Sequence, residues 1–285
     1  MKLLNKISLK NKNWILSLLF FPLIYLSGWL IISFFIFLFP RLQEEKSLLG
    51  TIISLFLFLI FLPKWSKKFW SKTLSQSIGN IELRPSILIL SLLEISKAAI
   101  TLFILSCVMI FFGYAELVFQ IKSSIILESL FLGIIVGFAE ELIFRVWLFE
   151  ELSLFFNNKI ANLLQAIIYA FIHLRSNFEI LSNLQLFIGL FLLGLYLNDW
   201  RNRKVPSIIF SIGFHSALVA FWFLIHNSFL DIQQNIPKII FGPGDGSDIN
   251  PIGGIFGILL LLFLNFLNNS YFARYFLERK ANIDS

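Results

Sequence analysis

Long uncharged stretches alternate with short polar or basic connections along the chain, and they are read as helices because about 20 apolar residues in helix cross a hydrocarbon core of about 30 Å. Eight such stretches are predicted: Trp14 to Phe39, Ser47 to Pro63, Ser86 to Gly113, Ile125 to Phe156, Ile160 to Leu174, Ile180 to Leu197, Val205 to Ile225 and Pro251 to Phe272. The second and fifth are short, and the fourth carries charges. The first is too long for a signal-peptide core and has no small-residue cleavage site after it, so it is expected to stay as an anchor.

Composition narrows the solvent. Of 285 residues, 58% are hydrophobic, 17% aromatic and 14% charged, against about 25% charged in a soluble domain. With 35 Phe residues spread over the whole length, a soluble globule and a disordered chain are both excluded, and the expectation is an all-α, polytopic, multi-pass integral membrane protein. The single cysteine, Cys107, rules out an intrachain disulfide framework and a Cys-based zinc site. Only His and carboxylate side chains remain as metal ligands.

The net charge of +6 is assigned to membrane orientation rather than to nucleic acid, which is not expected as a partner. Sixteen Lys and Arg residues fall in one set of alternate connections and five in the other, so both termini are expected on the cytoplasmic side. Without a leader, a prokaryotic plasma membrane is the expected location. Lys64 to Pro85 mixes Lys with Trp65, Phe69 and Trp70, which suits either an anionic cytoplasmic interface or a solvated linker. Phe241 to Gly254, rich in Gly, Pro and Asp, is expected to be an outer loop entering the last helix at Pro251. No internal repeat is evident.

Charges inside the spans carry the chemistry, because an ionisable group at membrane depth costs at least a few kcal/mol unless it meets protein or water. Glu94 and Lys97, three apart, are placed to neutralise each other. In the fourth span two adjacent carboxylates, Glu140 and Glu141, accompany one arginine, Arg145. Helical spacing makes Glu141 and Arg145 neighbours and turns Glu140 about 100° away, which leaves Glu140 to face a cavity as a general base. His173 ends the fifth span, His215 lies in the body of the seventh, and His226 falls at its outer edge. At about 1.5 Å per residue, Glu140, His173 and His215 reach similar depths, with Tyr169 one turn below His173 on the same face. One carboxylate and two imidazoles can activate water in two ways: with Glu140 as base and a histidine at the oxyanion, or through Zn²⁺ held by His173, His215 and Glu140. No HExxH motif is present, nor is a nucleophilic Ser or Cys signature.

These residues resemble the CPBP group of intramembrane proteases, which includes type II CAAX prenyl endopeptidases and bacteriocin self-immunity (Abi) proteins. Its EExxxR motif matches Glu140, Glu141 and Arg145; FxxxH resembles Tyr169 to His173, with Tyr for Phe; HxxxN or HxxxD aligns His215 with Val219, where the polar residue is missing. The seventh span holds no Asn or Asp that could replace it. The resemblance covers about Leu130 to Ala220 and implies Glu140, His173 and His215 as catalytic residues, Glu141, Arg145 and Tyr169 as their support, and a metalloprotease if Zn²⁺ is used. It further implies an endopeptidase for membrane proteins or lipidated, CAAX-type peptides in the bilayer. On this reading residues 1–124 are N-terminal helices with a basic linker, 125–226 the catalytic core, and 227–285 an outer loop, last helix and cytoplasmic tail. The competing classes are a weakened or inactive relative acting as a membrane scaffold, and a secondary transporter using Glu140 and Glu94 as proton sites.

Overall fold

The computed structural model describes residues 17–70, 72–82, 84–203, 205–246 and 249–269. The predicted span ends at Trp14 and Phe272 and both termini lie outside the described residues. The chain divides into two compact units, one formed by residues 1–77 and 146–161 and the other by residues 78–145 and 162–285. Eight principal helices follow the apolar stretches: α1 (Phe20–Leu38), α2 (Lys46–Trp65), α3 (Pro85–Phe111), α4 (Ser123–Glu140), α5 (Asn158–Ile172), α6 (Ile180–Asn198), α7 (Ile209–Ser228) and α8 (Ile255–Asn269). Among the described residues five helical stretches are long and apolar enough to cross a membrane, those built on α1, α2, α3, α6 and α7. Helices α5 and α8 have 15 residues each, about 22 Å of rise against a core of about 30 Å. Helix α4 continues without a break into π-helical turns, Glu141–Leu148, and a last α-helical turn, Phe149–Ser153.

In the first unit α1 and α2 pack where side chains are smallest. A Cβ on Gly28 would collide with Ser54, whose hydroxyl instead donates to the carbonyl of Tyr25 at 3.0 Å. Beyond α2 the chain makes π-helical turns at Ser66–Trp70. The Trp70 indole donates to Glu151 at 2.8 Å, the Trp65 indole donates to the same carboxylate oxygen, and Lys72 pairs with Glu150 at 3.0 Å. The Lys- and Trp-rich segment is thus pinned by two acidic side chains over Trp65–Lys72, a feature absent from both sequence readings of it.

In the second unit α7 lies between α3 and α4. The α4 face that meets α7 is Ser129, Gly133 and Gly137, spaced by four and all buried. A Cβ on Gly133 would sit 2.5 Å from the Ser216 carbonyl oxygen, and one on Gly137 would collide with Ser216 itself. Small residues at this spacing let two apolar backbones approach closely, the usual route to helix association where lipid removes the hydrophobic driving force. Helices α5 and α6 meet likewise at Ala166 and Gly194, where Gln165 donates to the Gly194 carbonyl at 3.1 Å and Asn198 to Asn162 at 2.9 Å.

Two features depart from the helix-and-loop expectation. Strands β1 (Ala115–Leu117) and β2 (Leu230–Ile232) pair antiparallel and sit in an apolar cluster with Met109, Ile236, Phe241 and Ile249. Residues 241–246 and 249–254 fold against the helices: the Trp222 indole of α7 donates to the Ile249 carbonyl at 3.2 Å, the Asn250 backbone N–H to the Pro243 carbonyl at 2.8 Å, and Gly189 of α6 leaves room for the Ile252 carbonyl. Glycine is required at Gly242, which has φ +120 and lies against the Asn250 carbonyl.

Gly137→Leu is expected to wedge α4 from α7 and lower stability by about 1 to 3 kcal/mol, the cost of overpacking. Gly213→Ala, whose added carbon would meet nothing closer than 3.5 Å, is the control expected to unfold like the unaltered protein in a detergent thermal melt.

Candidate active site

The site lies wholly within the second unit and begins at the junction of α4 with its π-helical continuation. A π turn inserts one extra residue per cycle and shifts the facing of everything after it, so the glutamates on either side of the junction approach the same imidazole from its two nitrogen edges. Glu141 Oε1 lies 2.8 Å from His215 Nδ1, and Glu140 Oε2 lies 3.7 Å from His215 Nε2. His173, one residue beyond α5, closes the other side, with Nε2 3.4 Å from Glu140 Oε1. His226 stands apart from this group, its ring 6.1 Å from that of Trp222.

Hydrogen-bond chemistry assigns the tautomers. A carbonyl can only accept, so His173 Nδ1 must donate to the Tyr169 carbonyl at 2.7 Å. His215 Nδ1 donates to the Glu141 carboxylate by the same logic. In neutral rings both Nε2 atoms therefore carry lone pairs, and both point at the carboxylate of Glu140. Three acceptors facing one another need a shared hydrogen, and a water molecule or an added proton supplies it. Glu140 Oε2 is buried with no hydrogen-bond partner among the described residues, while the Glu140 side chain retains 23% exposure and that of His173 29%. The carboxylate is thus shielded on one oxygen and reachable on its other side.

The support is drier. Glu141 and Arg145 are both fully buried, with Arg145 Nε 3.5 Å from Glu141 Oε2. The guanidinium of Arg145 lies over the Tyr169 ring at 4.1 Å, an arrangement worth about 2 kcal/mol when desolvated. Tyr169 thereby serves the site twice, through its ring under Arg145 and through its carbonyl on His173. Arg201, from the 3₁₀ turn Asp199–Asn202 that follows α6, donates Nη2 to the Arg145 carbonyl at 2.6 Å. Phe144 packs edge-on against Tyr169 at 5.1 Å. Neither Phe144 nor Arg201 carries a sequence signal for this role: one is a phenylalanine among 35, the other a basic residue counted toward orientation.

Val219 sits one turn along α7 from His215 and lines a cavity of about 280 Å³ with Leu102, Leu132, Trp222 and Asn250. Glu94 forms a separate cluster. It is held by Lys97 and by Arg203, each at 2.8 Å, and by the Tyr196 hydroxyl at 2.6 Å. The Lys97 pairing is accompanied by two partners that lie about a hundred residues away. Among the described residues no group of three or more His, Cys, Asp or Glu side chains is arranged to hold a metal ion, although Glu140, His173 and His215 are the donors that face one another.

Burial separates the two glutamates by experiment. Glu141→Gln leaves a buried guanidinium without its counter-charge and is expected to destabilise by about 3 to 5 kcal/mol. Glu140→Gln, at a partly hydrated position, is expected to change stability by less than about 1 kcal/mol. Chemical or thermal unfolding of both variants in detergent reads the difference.

Comparison with known proteins adds two family matches. Residues 4–73 match the model of a domain of unknown function (DUF8676). No curated protein matches the chain. Residues 122–221, which hold Glu140, Glu141, Arg145, Tyr169, His173 and His215, match the model of the type II CAAX prenyl endopeptidase Rce1-like family, so this part of the chain is similar to the CPBP intramembrane proteases.

Proposed function

We propose that the protein is an endopeptidase that hydrolyses a peptide bond of a membrane-associated substrate, including prenylated CAAX-type peptides, with water activated by Glu140. The observation that carries this reading is the meeting of the Glu140 carboxylate with two imidazole Nε2 atoms, at 3.4 and 3.7 Å. A water placed among these acceptors is oriented and polarised before substrate arrives. Glu140 takes one proton from it while the oxygen forms a bond to the scissile carbonyl carbon, and the carbonyl π pair moves onto oxygen. When the C=O bond re-forms, the C–N bond breaks and the proton held by Glu140 passes to the leaving nitrogen. The products are a carboxylic acid and an amine.

His173 and His215 position the water and share its charge. Glu141 holds the His215 tautomer, and Arg145 balances Glu141. The eight helices are proposed to cross a prokaryotic plasma membrane with both termini cytoplasmic. Zn²⁺ bound by His173, His215 and Glu140 would act as a Lewis acid on the same water, and every step above uses the chain's own groups.

The competing reading, a relative that kept the fold as a membrane scaffold, draws on Val219. Both are tested by purified protein in proteoliposomes with an internally quenched farnesylated peptide ending in Cys-aliphatic-aliphatic-X. Glu140→Gln and His173→Ala are each expected to lower kcat at least 10²-fold, the usual worth of a positioned acid or base, with folded yield unchanged. Cleavage unaffected by both variants overturns the hydrolytic assignment, and no cleavage by the unaltered protein overturns the prenyl-peptide substrate class. A chelator series with metal analysis of the same preparation reads the Zn²⁺ expectation.

A further inference from the structure

Arg175 follows His173 by two residues, and among the described residues no carboxylate lies within ion-pair distance of its guanidinium. Its backbone is nonetheless fixed. The Asn183 side chain of α6 accepts from the Arg175 N–H at 3.0 Å and donates to the Arg175 carbonyl at 2.9 Å and to the Phe178 carbonyl at 3.2 Å. The guanidinium lies over the Phe178 ring at 5.0 Å. A ring engages the face of a guanidinium, so the N–H groups around its edge stay available, in the fork that matches a carboxylate.

This exposed side chain also lines the cavity of about 280 Å³ described above. Among the described residues of the cavity wall Arg175 alone is charged, and most of the others are apolar, as at Leu102, Leu132, Leu218 and Phe223. A cation bordering an apolar hollow selects an anion carried on an aliphatic body. The volume lies at the lower limit of about 300 Å³ for sites that take a whole small molecule, so the cavity suits one segment of a larger ligand.

Chain geometry sets the cavity beside the reactive groups without making them its lining. The Arg175 Cα is at most about 7.6 Å from that of His173, two peptide links away. Val219, on another wall, is one turn along α7 from His215, about 6 Å. A peptide cut at Glu140 continues past its scissile bond at about 3.3 to 3.6 Å per residue. About two or three residues therefore bring the end of the chain to Arg175.

We infer that Arg175 is a specificity-determining residue that binds the free C-terminal carboxylate of the substrate, while the aliphatic side chains between that carboxylate and the scissile bond fill the cavity. A chain end is thereby told apart from the neutral carbonyl of a longer chain. The inference deepens the hydrolytic reading, on which its choice of substrate rests.

The test compares the free-acid and C-terminal amide forms of the quenched peptide in neutral phosphatidylcholine proteoliposomes. The unaltered protein is expected to cleave the acid with a kcat/KM about 10- to 100-fold above that of the amide, the usual effect of hydrogen bonds to a charged group, and chiefly through KM. Arg175→Gln is expected to bring the acid to within about twofold of the amide at an unchanged melting temperature. Arg175→Lys is expected to keep an intermediate preference, because a point charge replaces the fork. Equal cleavage of acid and amide by the unaltered protein overturns the inference, and so does an acid preference that persists in Arg175→Gln. Binding of the labelled acid and amide to Glu140→Gln, followed by fluorescence anisotropy, is expected to show the same preference without turnover. Selective binding of the acid with no cleavage by the unaltered protein leaves Arg175 its role and fails the hydrolytic reading. Cleavage that needs Glu140 but treats acid and amide alike fails Arg175 alone. Displacement of the peptide acid by an equal concentration of decanoate makes the cavity a fatty-acid site and overturns the peptide assignment.

Discussion

A carboxylate carried into an apolar helix must find a positive or donating partner, and in this chain two carboxylates arrive side by side with one arginine between them and the next turns. The structure meets the requirement unequally. Glu141 takes Arg145 on one oxygen and His215 on the other and is fully buried. Glu140 receives only the lone-pair edges of two imidazoles and stays partly exposed. The inequality separates a structural acid from a reactive one, and it follows from geometry rather than from any chemical difference between the two residues.

That geometry depends on close backbone approach. His215 can reach both glutamates because Gly133 and Gly137 let α4 lie against Ser216 and Ala220 of α7. The π-helical turns after Glu140 supply the remaining adjustment, turning Glu141 toward the ring edge that Glu140 does not use. Such turns weaken regular backbone hydrogen bonding and persist where surrounding groups hold them. Arg201 on the Arg145 carbonyl is one such group. Glu94 shows the same constraint away from the site: with Lys97, Arg203 and Tyr196 as partners it is locked in place, an arrangement suited to joining α3 to α6 and the turn after it rather than to exchanging protons.

The Gly- and Pro-rich segment shows how composition can mislead. Its residues are those of turns, and turns usually lie on a surface. Here glycines at 189, 242 and 253 remove the side chains that would keep the segment off the helices, and Phe241 and Ile249 are buried in the cluster around β1 and β2. Lacking a side chain is ambiguous on paper, since it permits both an exposed turn and a buried close contact.

Much of the molecule was legible from residue order alone. Apolar runs give the helices because the lipid solvent leaves backbone groups no other partner, and the cost of charge in that solvent marks Glu140, Glu141, Arg145, His173 and His215 as residues that need company. Depth along each helix is additive in residue number, so similar heights could be counted. What counting could not supply was azimuth and contact: that both glutamates flank one imidazole, that Tyr169 lies under Arg145, that Trp65 and Trp70 end on Glu151, and that Asn250 shares a cavity with Val219. Those facts depend on helix rotation, a π turn and glycine contacts between distant segments, and each is set by packing energy summed over the folded chain rather than by any local pattern.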